Sequence, residues 1–371
     1  MRSNNITTDV LIFTFINKNY GSILQAFALQ KYLKANTTNK KVENIRLRTK
    51  EHIQDERVFN FYGTLTSKIS QFLFGILRFR SLLKRKLKSQ KFINKEFTIY
   101  KEFRSTEEIL EHQFCSKIYI TGSDQVFNPE GMYKEVFFLN LKICNNDYKK
   151  VAYSGSFGLS HTKAHQNSFI KKSLDSFCAI GCREFTGLNI IKELNVHPKS
   201  EKTIDPVFLL DAQEWSKYCK KPKLKNYILI YGLAEEESLL KIANRVKKKN
   251  EKIAFIRYNT RSFIDCDKIF YGCGPEEFLG LIRNANYVIT DSFHGLSFSM
   301  IFKKQFRVFI SRPELGSRLR ELMKITKTEN NLIENVDFQL NQKFIEPDWN
   351  ELNHQIINSK KFIQTHIIEN F

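Results

Sequence analysis

Long apolar runs are missing from this chain. The longest, Phe72 to Leu77, is far shorter than the roughly 20 apolar residues that a helix needs to cross a bilayer. The apolar stretch near the N-terminus, Leu11 to Ile16, suits one strand and has no small-residue cleavage site after it. We therefore expect a soluble cytoplasmic protein.

Cysteine is scarce and scattered. The seven cysteines include no C-x-x-C pair, which is typical of reduced thiols and argues against a zinc site or a disulfide framework. The nearest pair, Cys178 and Cys182, has the i,i+4 spacing of one helix face, which favours core packing. The chain also lacks H-E-x-x-H and paired Asp-x-Asp patterns, so the sequence predicts no metal site.

Glycine-rich phosphate loops are also missing. Neither G-x-G-x-x-G nor a P-loop occurs, so dinucleotide binding and nucleotide triphosphate hydrolysis lose support. No Ser-His-Asp order of a hydrolase is present either. The sequence therefore predicts no bound cofactor of these classes.

Acidic residues are outnumbered, and the formal net charge is +20. The excess is concentrated between Arg78 and Arg104, where ten basic residues face two acidic ones. Apolar residues recur there at helical spacing: Leu65, Ile69, Phe72, Leu73, Ile76, Phe79, Leu83 and Leu87. A basic amphipathic helix over residues 65–104 can contact an anionic membrane surface or a phosphorylated lipid carrier. The alternative is an ordinary surface helix with a solvated basic face. No helix-turn-helix, zinc finger or aromatic-basic signature accompanies the charge, so nucleic acid is not an expected partner.

Strand-like and helix-like stretches alternate along the chain, which predicts an α/β fold with parallel sheets. The charged, proline-containing stretch Cys219 to Asn226 is the best linker. We predict two Rossmann-like domains facing a cleft. Residues 1–218 form the first, with the basic helical insertion at about 65–104, and residues 226–371 form the second, with a C-terminal helix from Trp349 to Ile368.

Five small or polar loops each follow a predicted strand. In an open parallel sheet such loops gather at the carboxyl edge, where ligands bind. The loops are Asn17 to Ser22, Thr121 to Gln125, Ser154 to Gly158, Gly181 to Glu184 and Asp291 to Gly295. Their candidate acceptor-side or cleft residues are Asn19, Tyr20, Gly21, Ser123, Asp124, Gln125, Ser154 and Asp291.

Four side chains in these loops allow two interpretations each. His294 can move protons or contact an anion, or it can hold its own turn. Arg183 can present a fork to a carboxylate or phosphate, or it can form a salt bridge with a nearby carboxylate. Asp124, like Asp291, can bind a hydroxyl or cap a helix, and capping is the default. Asp205, before Pro206, reads as a residue that fixes its loop.

Taken as a set and in this order, several motifs resemble the polysaccharide pyruvyl transferase family. They are N-Y-G-S-I-L-Q-A-F-A-L-Q (19–30), G-S-D-Q-V-F-N (122–128), V-A-Y-S-G-S-F-G (151–158), C-R-E-F-T-G (182–187), I-D-P-V-F-L-L (204–210), G-P-E-E-F-L (274–279) and T-D-S-F-H-G-L-S-F-S (290–299). The resemblance covers roughly residues 8 to 325.

The resemblance implies a glycosyltransferase-B-like fold and a cytoplasmic transferase, acting at the inner face of the membrane where its acceptor is lipid-linked. It implies that pyruvate moves from phosphoenolpyruvate onto two hydroxyls of a sugar, forming a ketal in a capsular or extracellular polysaccharide precursor. Phosphoenolpyruvate is then the donor substrate, and no cofactor is needed. In the family, an arginine at the position of Arg183 helps to hold the donor, and a histidine at the position of His294 is essential.

The chain departs from the family at the donor site. Better-characterised members carry R-L-H where this chain has Ser292-Phe293-His294, so a second donor arginine is missing. Arg318, after the next predicted strand, could supply that charge. Ser292, Phe293, Arg183 and Arg318 are therefore the expected donor contacts.

Two other functions stay open. The first is a glycosyltransferase that uses a nucleotide sugar. The segment Gly274 to Leu279, followed by Thr290-Asp291-Ser292, resembles the donor-binding half of such enzymes, in which an acidic residue often binds the ribose. A non-catalytic sugar-binding subunit fits the missing arginine.

Overall fold

The structure, a computed structural model, describes residues 8–16, 19–48, 65–144, 146–233, 235–257, 264–310, 316–336 and 343–370, with side chains of 65–96 described from Phe79 onward. Asn17 and Lys18 of the first predicted loop, and the apolar side chains from Leu65 to Leu77, lie outside the described residues.

The chain divides into two compact units. The first comprises residues 1–54, 94–210 and 353–371, and the second comprises residues 55–93 and 211–352. This division differs from the predicted boundaries of 1–218 and 226–371 at two places. Residues 55–93 belong with the second unit, and the C-terminal helix belongs mostly with the first.

The first unit contains a seven-stranded sheet in which every pairing is parallel. Its strands are β1 (Thr8–Phe13), β2 (Val42–Leu47), β3 (Ile99–Phe103), β5 (Ser116–Thr121), β7 (Lys149–Gly155), β8 (Ala179–Cys182) and β9 (Lys199–Lys202). A separate short pair is formed by β4 (Gln113–Phe114) and β6 (Lys142–Ile143). The order β3-β2-β1-β5-β7-β8-β9 reverses the direction of strand addition between β1 and β5. That reversal is the Rossmann switch point, outside which ligands bind in open α/β sheets.

Both faces of this sheet are buried. Along β1, Val10 and Ile12 belong to one apolar cluster, and Leu11 and Phe13 belong to the other. Alternate residues of a strand point to opposite faces, so a parallel sheet covered on both sides needs a continuous apolar run. The covering helices are α1 (Tyr20–Asn36), α3 (Thr106–Glu111), α4 (Lys134–Phe137), α5 (Ala164–Leu174), α6 (Phe185–Glu193) and α12 (Trp349–His366).

The C-terminal helix α12 joins the first unit through its apolar side chains. Phe362 and Ile363 of this helix, with Ile367 just after it, belong to the same buried cluster as Val10 and Ile12. The hydroxyl of Ser359 accepts a hydrogen bond from the backbone N–H of Ile204 at 2.8 Å. Position along the chain does not indicate such long-range packing, which is why the sequence assigned this helix to the second domain.

The second unit contains a six-stranded sheet whose pairings are also parallel. Its strands are β10 (Tyr227–Gly232), β11 (Lys252–Arg257), β12 (Lys268–Tyr271), β13 (Tyr287–Thr290), β14 (Gln305–Phe309) and β15 (Leu332–Ile333). Its helices are α7 (Ala212–Ser216), α8 (Glu236–Val246), α9 (Pro275–Asn284), α10 (Phe293–Ile301) and α11 (Ser317–Ile325). The order β12-β11-β10-β13-β14-β15 is the Rossmann arrangement, with its switch point between β10 and β13. The predicted α/β class with two Rossmann-like parallel sheets is confirmed.

The basic segment forms helix α2 (Leu65–Glu96), as its helical spacing predicts, but this helix is shorter than the predicted insertion. The helix ends at Glu96 and residues Ile99–Phe103 form strand β3, so the helical part stops short of the predicted limit of about 104. The sequence of β3 is Ile-Tyr-Lys-Glu-Phe. Its charged residues do not favour a strand, so the pairing of β3 with β2 determines its conformation. None of the described helices is long and apolar enough to cross a membrane.

One prediction about cysteine is also wrong. Cys115 and Cys144 are joined by a disulfide, with their Cα atoms 5.4 Å apart. The parallel pairing of β4 with β6 brings the two residues together, and the N–H of Cys144 donates to the carbonyl of Phe114 at 2.9 Å. A sequence separation of 29 hides this proximity.

Candidate functional site

The carboxyl edge of the second sheet has its switch point at the ends of β10 and β13. Strand β13 ends at Thr290, as predicted, and helix α10 begins at Phe293. The Thr290 hydroxyl donates to the carbonyl of Tyr231 at 2.6 Å and accepts from the N–H of Ser292 at 3.0 Å. These bonds fix the turn to the end of the neighbouring strand.

Ser292 is the N-cap of α10. Its hydroxyl accepts a hydrogen bond from the N–H of Gly295 at 3.4 Å. A Cβ atom added at Gly295 would lie 2.3 Å from the Thr290 hydroxyl oxygen and 3.1 Å from the Tyr231 ring. Only glycine allows the helix to start this close to the two strands. The first turn of α10 therefore sits directly over the switch point.

His294 lies in that first turn and is 8% exposed. The ring of Phe293 stands at right angles to it, with 5.3 Å between the ring centroids. The free N–H groups and dipole of a helix N-terminus favour negative charge. The structure thus brings Ser292, Phe293 and His294 together at a position suited to an anion.

Asp291 does not cap its own helix. Its carboxylate accepts from the N–H of Leu233 at 2.7 Å and from the N–H of Glu235 at 3.3 Å. Both donors belong to the segment after β10. The default interpretation, a cap of its own helix, is therefore wrong for Asp291, which instead holds backbone N–H groups across the switch point. Its contact with a hydroxyl stays a prediction.

An arginine that the sequence analysis missed lies at the same sheet edge. Arg257, the last residue of β11, is buried and forms a bidentate pair with Glu236 in the first turn of α8, at 2.7 to 3.0 Å. Burial alone would lower the pKa of Arg257, but the hydrogen bond and charge of Glu236 outweigh it and raise the pKa. The position of Arg257 at a strand end was the available signal.

Arg318 lies in the first turn of α11 and is half-buried. Strand β14, which precedes α11, pairs directly with β13. Residues 311–315, between β14 and α11, lie outside the described residues. Helix α10, with His294, follows β13, and helix α11, with Arg318, follows β14. Since β13 and β14 are adjacent, the two helices start after neighbouring strands.

Arg183 of the first unit lies in a buried ionic cluster at the carboxyl edge of β8. Its guanidinium donates to Asp205 at 2.9 Å, to Glu184 at 3.3 Å and to the hydroxyl of Ser123 at 3.4 Å. The carboxylate of Asp124 lies 4.0 Å away. Burial alone would lower the pKa of Arg183, but the carboxylates of Glu184, Asp205 and Asp124 raise it above its ordinary value.

The salt bridge proposed as one interpretation of Arg183 is therefore present, and its contact with a donor stays a prediction. Asp205 fixes its loop as expected, because its second oxygen accepts from the N–H of Val207 at 3.1 Å and caps the short helix Pro206–Leu209. Sequence reasoning missed that Glu184 joins this cluster. The hydroxyl of Ser156 donates to Glu184 at 2.6 Å.

Two non-glycine residues at this edge have left-handed backbone. Asp124 has φ of 78° and Ser154 has φ of 59°, and their strands β5 and β7 are adjacent. Such backbone costs about 1–3 kcal/mol per residue and is found preferentially at functional sites. The hydroxyls of Ser154 and Ser123 are 3.5 Å apart, and the Asp124 carboxylate accepts from the N–H of Gln125 at 3.0 Å.

The first predicted loop provides a helix start. Asn19 caps α1, since its side chain accepts from the N–H of Ser22 at 2.9 Å and its own N–H donates to the Ser22 hydroxyl at 3.0 Å. Tyr20 and Gly21 are buried in the first turn of that helix. Their burial favours a packing role, and any contact of Asn19 with an acceptor stays a prediction.

The comparison of the chain with protein families is decisive. The model of the family described as polysaccharide pyruvyl transferase matches residues 19–312. The chain belongs to this family. The matched region includes both clusters described above, Arg183 in the first unit and His294 in the second. A polysaccharide pyruvyl transferase is a transferase with a sugar acceptor. No curated protein matches the chain.

Solved structures similar to the chain are distant in sequence. The UDP-GlcNAc 2-epimerase from Methanocaldococcus jannaschii is 11% identical, with a TM-score of 0.43 over 95% of this chain and 99% of that chain. The Arabidopsis thaliana protein UGT89C1 is 10% identical, with a TM-score of 0.42 over 97% and 94%. The UDP-N-acetylglucosamine 2-epimerase from Rickettsia bellii is 10% identical, with a TM-score of 0.42 over 98% and 99%.

Proposed function

We propose that this protein transfers pyruvate from phosphoenolpyruvate to two hydroxyls of one sugar in a surface-polysaccharide precursor, forming a ketal and releasing phosphate. The observation that carries the proposal is the start of α10, where His294 stands beside the Ser292 cap at the switch point of the second sheet. Family membership supports the same reaction class.

The chemistry of this helix start suits the donor. Phosphoenolpyruvate carries a phosphate and a carboxylate, and a helix N-terminus provides backbone N–H donors and a positive dipole end for such groups. Arg318, at the start of the next helix, is our proposed second cation for the donor. Gly295 lets the N–H groups of this turn stay close to the strand ends, because its Cβ position is filled by Thr290 and Tyr231.

The reaction needs three proton movements. Protonation of the donor methylene carbon gives an oxocarbenium-like centre, and the first sugar hydroxyl attacks it and loses its proton. The second hydroxyl then attacks the same carbon and loses its proton, while the C–O bond to phosphate breaks and phosphate leaves with that bonding pair. We assign to His294 the transfer of at least one of these protons, for which a positioned acid–base group contributes about 10²–10⁴-fold.

Arg183 enters this proposal with a narrower role than the family resemblance implies. Three carboxylates already surround its guanidinium, and the guanidinium is buried. We propose that Arg183 positions the strand-end loops of the first unit through Asp205 and Glu184, and that a direct contact with the donor is secondary. The loops with Ser123, Asp124, Gln125 and Ser154 are our proposed acceptor contacts.

Donor identity is tested by thermal denaturation and calorimetry with phosphoenolpyruvate, UDP-sugars and inorganic phosphate. A ligand at 100 times its dissociation constant adds about 2.7 kcal/mol to the stability of the native state. We expect stabilisation by phosphoenolpyruvate beyond that by phosphate. Stabilisation by a UDP-sugar alone would overturn the donor assignment and favour a glycosyltransferase.

Turnover is tested by phosphate release from phosphoenolpyruvate in the presence of methyl glycosides that offer neighbouring hydroxyl pairs. We expect His294→Ala to lower the rate on the order of 10²–10⁴-fold while the protein stays folded. The matched control is His354→Ala, which removes an exposed histidine from α12. Sugar binding that His294→Ala leaves unchanged, with no phosphate release from any donor, would support a non-catalytic sugar-binding subunit instead.

A further inference from the structure

The described part of helix α2 exposes a row of large apolar side chains. Phe79 is 49% exposed, Leu83 is 42% exposed and Leu87 is 62% exposed. Their i, i+4, i+8 spacing places them on one stripe of the helix, about 12 Å long. We call this row the apolar stripe.

The opposite face of the helix is fixed to the second unit. A Cβ atom at Gly272 would lie 2.5 Å from the carbonyl oxygen of Ser81, and one at Gly274 would lie 2.7 Å from the Cβ of Lys88. Lys88 also forms an ion pair with Glu277 at 2.5 Å. Ser81 and Lys88 lie on the side of the helix opposite Leu83, so the apolar stripe faces away from these contacts.

Cations border the apolar stripe. At 100° per residue, Arg80, Lys84 and Lys91 lie within about 60° of Leu87 on one side, and Lys86 lies about 20° from Phe79 on the other. All four are exposed. Within the part of the chain that the structure describes, Arg80, Lys84 and Lys91 form no ion pair with an acidic side chain. Lysine and arginine on the polar side of an exposed apolar stripe are typical of helices that lie in the plane of a lipid interface.

We propose that the exposed face of α2 is a docking surface for an anionic lipid bilayer. The apolar stripe enters the boundary between headgroups and acyl chains, and the bordering cations contact anionic headgroups. The formal net charge of +20 adds long-range attraction to such a surface. Lys88 does not take part, since Glu277 holds its ammonium group.

The cations and the apolar stripe together favour a bilayer over other partners of this surface. A second copy of the chain would place two cationic faces against each other, which costs energy through like-charge repulsion. Nucleic acid would engage the cations through its phosphates but would leave the apolar stripe in water. A bilayer with anionic lipids satisfies both features with one surface.

The experiment is co-sedimentation of the full chain with vesicles of pure phosphatidylcholine or of phosphatidylcholine with 30% phosphatidylglycerol, a composition chosen at roughly physiological anionic content. The first variant is Lys84→Gln/Lys86→Gln/Lys91→Gln. Each cation near the surface is worth about five-fold in partitioning, so we expect a loss on the order of 100-fold on anionic vesicles. Its control, Lys241→Gln/Lys248→Gln/Lys249→Gln, removes the same charge from exposed lysines elsewhere in the second unit and changes binding by less.

The second variant, Leu83→Ser/Leu87→Ser, tests the apolar stripe. We expect about a ten-fold loss per leucine, because each side chain no longer enters the lipid. Its control is Met132→Ser/Ile357→Ser, which removes two apolar side chains of similar exposure, 61% and 62%. Circular dichroism melts confirm that the variants are folded.

If the leucine variant binds anionic vesicles like the unaltered chain, the contact is electrostatic only and the proposal is overturned. Equal loss in both lysine variants would overturn it too. No substrate is present, so the outcome is independent of the proposed reaction.

Discussion

Arg183 and Asp205 form a buried ion pair, with 2.9 Å between Nη1 and Oδ2. The two residues follow the adjacent strands β8 and β9, so their pair joins two strand-end loops of the first sheet. Asp205 also holds the helix Pro206–Leu209 through Val207. One buried carboxylate therefore links a cation, a loop and a helix start.

Removing Arg183 should destabilise the protein more than removing Asp205. Without the guanidinium, the carboxylates of Asp205, Glu184 and Asp124 are left together in a buried place, and loss of one partner of such a pair costs about 3–5 kcal/mol. After Asp205→Asn the guanidinium keeps its other two carboxylates. We expect Arg183→Ala to lower the free energy of unfolding by about 3–5 kcal/mol in urea denaturation, and Asp205→Asn to lower it less.

The matched control for Arg183→Ala is Arg48→Ala. Arg48 pairs with Glu102 at 3.4 Å, but its side chain is exposed, and such pairs contribute about 0–1 kcal/mol. An effect of Arg183→Ala no larger than that of Arg48→Ala would contradict a positioning role for Arg183.

The left-handed backbone of Ser154 should reverse the usual order of stability between its glycine and alanine variants. At ordinary positions alanine is more stabilising than glycine by about 0.4–1 kcal/mol, because glycine loses more backbone entropy. At φ of 59° the Cβ atom itself is unfavourable by about 1–2 kcal/mol. We therefore expect Ser154→Gly to be more stable than Ser154→Ala by about 1 kcal/mol, measured by thermal and urea denaturation.

The two Ser154 variants control each other, because both remove the hydroxyl and only one keeps Cβ. The pair Ser156→Gly and Ser156→Ala, two positions further along the chain and without left-handed backbone, provides the usual order of stability, with alanine above glycine. The same order at Ser154 would argue against strained backbone there.

Central strands and long helices could be predicted from the sequence because their pattern is local. Apolar and β-branched residues indicate strands at Val42–Leu47 and Tyr287–Thr290, and apolar periodicity indicates a helix at Pro275–Asn284, as the structure has them. The edge strand Lys199–Lys202 could not be found, since its sequence Lys-Ser-Glu-Lys is polar and only its pairing with β8 makes it a strand. Edge strands with charged side chains are common because they discourage further pairing.

The candidate site was predicted as a set of loops, but its internal contacts were not. The position of His294 after β13 follows from a strand, a small polar turn and a helix in sequence. The bond of Asp291 to the segment after β10 could not be predicted, because it joins residues 58 positions apart. The pair of Arg257 with Glu236 was missed for the same reason.

The disulfide between Cys115 and Cys144 should contribute measurably to stability. Its sequence separation of 29 corresponds to about 3–4 kcal/mol in the chain-entropy description of a cross-link. We expect Cys115→Ser to lower the free energy of unfolding by up to that amount under oxidising conditions. Peptide mass mapping without reductant identifies the linked pair.

Reductant is the internal control for the cysteine variants. It should lower the stability of the unaltered chain and leave Cys115→Ser unchanged, while Cys178→Ser, which removes an exposed free thiol, behaves like the unaltered chain. Equal stability of the unaltered chain with and without reductant would mean that the cross-link does not contribute.

Two substitutions at Ser292 distinguish the effect of the helix cap on stability from the effect of charge on donor binding. Ser292→Ala removes the cap of α10 and should cost about 0.5–2 kcal/mol. Ser292→Asp keeps a capping oxygen and places a negative charge at the positive end of the helix dipole, so its stability should equal or exceed that of Ser292→Ala. If phosphoenolpyruvate binds at this helix start, the same carboxylate repels it, and calorimetry should show at least a ten-fold weaker donor affinity for Ser292→Asp than for Ser292→Ala. Equal donor affinity in these two variants would place the anion elsewhere, because a carboxylate at this helix start should repel an anion bound there.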